Sequence, residues 1–69
     1  MRLHFDPETD ALYLRIDESP VVDSEEVHPG VVLDYNDRDE VVGIEILRVQ
    51  ARVPLADLTR LQVEVAGAA

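Results

Sequence analysis

The chain has 69 residues, fifteen of them acidic and six basic, for a formal net charge of −9. That length leaves room for one hydrophobic core, since a domain of about 60 residues buries only roughly 60% of the surface its unfolded chain exposes. The charge balance argues against direct nucleic-acid binding, which draws its affinity from counterions displaced by Lys and Arg, and with no cysteine there is no disulfide framework, thiolate zinc site or thiol nucleophile.

A hydrophobic content of 46% argues for a folded chain despite the charge. No apolar run reaches the roughly 20 residues of a membrane span, and the opening Met1-Arg2-Leu3-His4-Phe5-Asp6-Pro7 holds no signal-like apolar core. The expected setting is cytoplasmic, with no membrane partner.

Leu3 and Phe5 alternate with Arg2 and His4, and Leu12, Leu14 and Ile16 alternate with Ala11, Tyr13 and Arg15. This is the period of two expected for half-buried strands. Asp6-Pro7-Glu8-Thr9 carries the Asp and Pro of a type I turn between them. That turn sets Phe5 opposite Leu12 and Leu3 opposite Leu14, all on one side. Residues 21–27 read as a weaker, irregular edge segment with the polar centre Asp23-Ser24-Glu25-Glu26.

Pro29-Gly30 is a turn signal, after which Val31, Leu33 and Tyr35 alternate as a strand. Val42, Ile44 and Ile46 form another beyond the turn formers Asn36-Asp37-Arg38-Asp39. The implied register pairs Tyr35 with Val42, Leu33 with Ile44 and Val31 with Ile46. Arg38-Asp39 stands where a glycine would be more comfortable at positive φ, so a four-residue loop or local strain is expected. Pro54, followed by Leu55, Leu58 and Leu61 at helical spacing, predicts a short helix over residues 54–61. Residues 62–65 extend it or form a small strand.

The expected fold class is therefore α+β: an antiparallel β-meander of about four strands with one short C-terminal helix. Residues 1–65 form the single domain and residues 66–69 a frayed tail. One helix, about 10–12 Å across, is too narrow for the apolar side of such a sheet, about 19 Å wide. The remainder is expected to bury against a second copy or a heterologous partner.

Few residues suggest chemistry. His4 and His28 lie on different segments without metal-ligand spacing. Asp34, Asp37 and Asp39 fail the calcium-loop pattern, because Arg38 and Asp39 occupy its fifth and sixth positions. No nucleophile motif and no glycine-rich phosphate loop is present, so no catalytic residue, metal site or cofactor is assigned. In the proposed register Asp34 lies across from Gly43 and diagonal to Glu45 on the outer side of the sheet. A glycine there leaves room for close approach. Asp34, Gly43 and Glu45 are thus expected to form a shallow acidic notch for an Arg or Lys of a basic protein partner, with Glu25 and Glu26 as a second acidic spot. The alternative is a small carboxylate-based enzyme or metal-dependent regulator using Asp34, Glu45 and His28.

The run Phe5 to Leu14, with Ser24-Glu25-Glu26-Val27, Pro29-Gly30-Val31-Val32-Leu33-Asp34-Tyr35 and Val41-Val42-Gly43-Ile44-Glu45-Ile46-Leu47, resembles the bacterial and archaeal family called domain of unknown function 2283. Arg38-Asp39 departs from the Asp-Gly common in that family. The resemblance implies a small sheet-based domain with no assigned reaction, and an antitoxin-like pairing with a small basic toxin. Together with the charge and the apolar side, it leads to the expectation of a non-enzymatic protein-interaction domain, self-associating as a homodimer or binding a basic partner.

Overall fold

The alternating segments between residues 2 and 47 all become strands. A computed structural model describes residues 1–67 and places β1 at Arg2–Asp6, β2 at Ala11–Arg15, β3 at Asp23–His28, β4 at Val31–Tyr35 and β5 at Val41–Leu47. They form a single antiparallel sheet in the order β1-β2-β5-β4-β3. β3, β4 and β5 run as a meander, and the β1–β2 hairpin joins it through β2 and β5. The longest strand, β5, consequently sits at the centre.

Register follows the apolar pattern closely. Leu3 pairs with Leu14, Leu14 with Ile44 and Ile44 with Leu33, giving one apolar row across four strands. A second row runs Phe5, Leu12, Ile46, Val31. Cross-strand partners share a side of the sheet, so both rows lie on the same face. The expected Tyr35–Val42 pair does not form. Tyr35 pairs with Val41 across an irregularity between Asp34 and Tyr35, which leaves Val42 as the extra residue of a bulge and buries it completely.

The sheet has five strands among the described residues, where about four were expected, because the polar segment Asp23–His28 pairs along β4. Its residues are all exposed and its register shifts between Glu26 and His28. Charge and a bulge are common features of an edge strand that resists pairing with other chains.

The turns carry the remaining polar logic. Asp6 Oδ1 accepts the Glu8 N–H at 2.9 Å, and the hairpin closes with Asp10 at φ 55°. Gly30 takes φ 84° in the turn after Pro29, a positive value that glycine adopts without steric cost. In the β4–β5 loop Asp39 takes φ 60°, at the position where strain was expected. Asn36, only 2% exposed, organises that loop. Its Oδ1 accepts the N–H groups of Arg38 and Glu40 at 2.9 and 3.0 Å, and its Nδ2 donates to Glu40 Oε1 at 2.9 Å.

The expected C-terminal helix is absent. Val49–Ala51 and Leu55–Thr59 are short 3₁₀ turns, and Pro54 is extended at φ −59°, ψ 145°. An isolated eight-residue segment lies well below the length at which a helix holds itself in water, and Leu55 and Leu61 stay exposed. The fold is therefore mostly β. The first 3₁₀ turn is tied to the β1–β2 hairpin, since Val49 N–H donates to Asp10 O and Gln50 N–H to Asp10 Oδ1, at 3.3 and 3.0 Å. These bonds hold Val49, 3% exposed, at the end of the sheet. Of the expected tail, Ala66 and Gly67 form a turn, and residues 68–69 lie outside the described residues.

Among the described residues, no second layer of helix or strand covers the sheet. Val42 and Val49 are the only buried apolar residues among those described. The accessible surface is 5371 Å², whereas a compact monomer of 7.7 kDa would expose about 4,300 Å². The radius of gyration, 13.5 Å, likewise exceeds the roughly 11 Å of a closed domain this long.

Asn36→Ala leaves the Arg38 and Glu40 N–H groups without their acceptor and should lower stability by about 2 kcal/mol. Urea denaturation followed by circular dichroism measures this. An unchanged midpoint would show that the loop does not depend on the Asn36 side chain.

Candidate functional site

The polar side of the sheet is built around the residue with no side chain. Gly43 lies in the central strand between Arg15 of β2 and Asp34 of β4, and the Tyr13 ring leans across it. A Cβ at position 43 would stand 2.8 Å from Tyr13 Cζ and closer still to Oη. From there Tyr13 Oη donates to Asp34 Oδ2 at 2.6 Å. Ser24 Oγ donates to the other oxygen, Oδ1, at 2.6 Å, and Arg15 Nη1 donates to Tyr13 Oη at 3.3 Å. Arg15 also donates from Nε to Asp17 O at 2.6 Å and from Nη2 to Ser19 O. One hydrogen-bonded chain thus crosses from β2 over β5 to β4 and β3, and it anchors the loop after β2.

Asp34, Gly43 and Glu45 share this side, as expected. The space above Gly43 is nonetheless occupied, because the phenol lies where a ligand was expected to approach. Both Asp34 oxygens already accept hydrogen bonds. Glu45 pairs with Tyr13 and Val32 and is half-buried. Glu26, paired with Val32, faces the same way, whereas Glu25, paired with Leu33, lies on the apolar side. The second acidic spot is therefore divided between the two faces. Sequence reasoning assigns no role to Tyr13, Arg15 or Ser24, and the signal for them is a large aromatic one strand away from a strand glycine.

Burial and the hydrogen bond to Asp34 push the Tyr13 phenol above the ordinary tyrosine value, opposed by the Arg15 guanidinium. The phenol therefore holds its proton. It works as a donor that ties the strands together.

The other face is apolar and half-buried. Its two rows end at β3 against Glu25 and His28, and Asp23 lies on the same side opposite Tyr35. At the middle of the second row, Leu12 and Ile46 line a shallow hollow with Val49, Arg52 and Val53. No member of either apolar row is buried. His4 and His28 sit on the two opposite edge strands, and among the described residues no three His, Asp or Glu side chains converge as a metal-binding group. No helix among the described residues is long and apolar enough to cross a membrane.

A family model described as "Protein of unknown function (DUF2283)" matches residues 2–50, a span that takes in all five strands. No curated protein and no solved structure matches the chain.

Gly43→Ala should be destabilising by about 2 kcal/mol, because its methyl group displaces the Tyr13 ring. In a Tyr13→Ala background the same substitution should cost less than half as much. Equal costs in the two backgrounds, by urea denaturation, would show that the ring and the glycine act independently. The tyrosine shift gives a pH test. The folded-state pKa of Tyr13 is raised, so its contribution to stability is complete below the ordinary tyrosine value and is lost as pH rises through the raised one. Tyr13→Phe should abolish that share of the alkaline loss, and an alkaline stability profile identical to the parent's would contradict the assignment.

Proposed function

The chain belongs to the DUF2283 family of proteins of unknown function, and from that premise we propose that it is a non-enzymatic protein-interaction domain whose binding surface is the apolar face of the sheet. The observation that carries this reading is that neither apolar row is buried: seven of their residues are half-buried and Leu3 is exposed. Stable domains pack a sheet face against a second layer. Among the described residues the chain supplies Val49, Arg52 and Val53, beside Leu12 and Ile46. The surplus of accessible surface is of the order of the 800 Å² or so that each partner buries in a specific interface.

Two kinds of partner fit. A second copy presents the same apolar rows and can supply the missing layer about 10 Å away, as in a β-sandwich. A basic protein, in an antitoxin-like pairing, would add attraction to the net charge of −9 and to Asp23 and Glu25, which border the same face. Salt distinguishes them. Two acidic copies repel, so screening strengthens self-association, whereas screening weakens capture of a basic partner. The alternative of a carboxylate-based enzyme or metal-dependent regulator draws less support. Asp34 is bonded to Tyr13 and Ser24, and His28 pairs with Val31 at the end of an apolar row.

Light scattering at high micromolar concentration should report a dimer that strengthens with salt. Ile44→Asp should abolish it by placing a charge at the centre of the contact. Leu3→Asp, at the rim where Leu3 is 42% exposed, should weaken it while leaving the circular dichroism spectrum unchanged. A monomer at all concentrations, together with no stoichiometric basic partner after purification from the native host, would overturn the proposal.

A further inference from the structure

The C-terminal residues 60–65, Arg-Leu-Gln-Val-Glu-Val, have the pattern of a strand and no strand beside them. Arg60 is extended at φ −131°, ψ 136°. Leu61, Val63 and Val65 are 66%, 63% and 68% exposed, whereas Gln62 Nε2 donates to Glu64 Oε1 at 3.0 Å. Residues 61–67 make no backbone hydrogen bond to any described residue. An apolar-polar alternation rich in β-branched residues fits a pleated, half-buried surface. Standing free in water, it fits nothing.

Resting on the self-associating form of the function proposed above, we infer that this arm adds to the free edge of β1 in a second copy of the chain, as an antiparallel sixth strand. The pairing that sets Val63 opposite Leu3 also sets Leu61 opposite Phe5 and Val65 beside Met1, which extends the apolar rows by one strand. On the polar side the same register sets Glu64 opposite Arg2 and Arg60 opposite Asp6. Both are opposite-charge pairs, the arrangement that stabilises neighbouring strands. Arg2 has Nη1 to offer, since it bonds Glu18 through Nε and Nη2. The parallel alternative that opposes the same residues would set Arg60 against Arg2 and Glu64 against Asp6.

The other edge of the sheet is a poorer template. β3 would set Leu61 and Val63 against Asp23 and Glu25, and it is bulged. β1 has no register shift and is the other edge of the sheet. A second copy is the occupant because the arm stands off its own sheet and because reciprocal exchange buries two arms at once. That moves the area of the pair toward the roughly 1,600 Å² of a stable interface.

The test uses the full chain, with dissociation constants measured by analytical ultracentrifugation and folding checked by circular dichroism. Val63→Asp, at an exposed site, should keep the fold and weaken dimerisation by roughly tenfold or more. Glu64→Arg should weaken it by roughly tenfold through Arg2, and Arg2→Glu combined with Glu64→Arg should restore it. A dimer indifferent to all three variants overturns the strand exchange and leaves the apolar-face reading standing. A parent chain that is monomeric at high micromolar concentration overturns the exchange together with self-association. Variants that alter the stability of a monomer in the same charge-dependent pattern would place the arm on its own β1, which also overturns the exchange.

Discussion

A tyrosine ring lying on a glycine in the central strand is the contact on which the rest of this structure depends. Glycine in a strand interior weakens the strand, since it contributes no side chain and loses the most backbone entropy. Gly43 is tolerated because Tyr13 fills the vacancy from the neighbouring strand. From that position its hydroxyl reaches Asp34, one strand beyond. The polar side is thereby closed by side chains of its own, and a chain with few buried residues gains a cross-strand tie that spans four strands.

Of the two sides of the sheet, one is finished by the Arg15–Tyr13–Asp34–Ser24 chain and the other presents two apolar rows. A chain of this size has only a few kcal/mol of stability, on the order of 3–10. A half-covered sheet face would supply little of it. Association and folding are therefore expected to reinforce one another, because whatever covers Leu14, Leu33 and Ile44 removes apolar surface from water in the folded state alone.

Much of the sheet was legible in the sequence because strict alternation leaves one register that keeps the apolar residues on one side. Leu3–Leu14, Leu33–Ile44 and the glycine opposite Asp34 all follow from it. Tyr35 broke the pattern, since a bulge inserts a residue without any compositional mark other than a run of valines. Residues 21–27 read as a weak, irregular edge segment, and Asp23–His28 is the edge strand, bulged and polar as edge strands have reason to be. The C-terminal segment matched a helix by its leucine spacing and by Pro54 at a first helical position, and neither says whether a surface exists for the helix to pack on. In the candidate site the placing of Asp34, Gly43 and Glu45 was readable. The direction of the Tyr13 ring was not, because χ angles are set by which neighbouring space is empty, and that is known only once the strands are side by side.

If association completes this fold, the face bearing Leu14, Leu33 and Ile44 is wet when the chain is alone and dry when it is associated. Methyl NMR with a soluble paramagnetic probe reads this directly, through the relaxation of those three side chains across a dilution series. Strong enhancement in dilute solution that fades as the concentration rises is the result expected. Methyl groups shielded at every dilution would mean that the chain covers its own sheet, and methyl groups exposed at every concentration would mean that no second copy does.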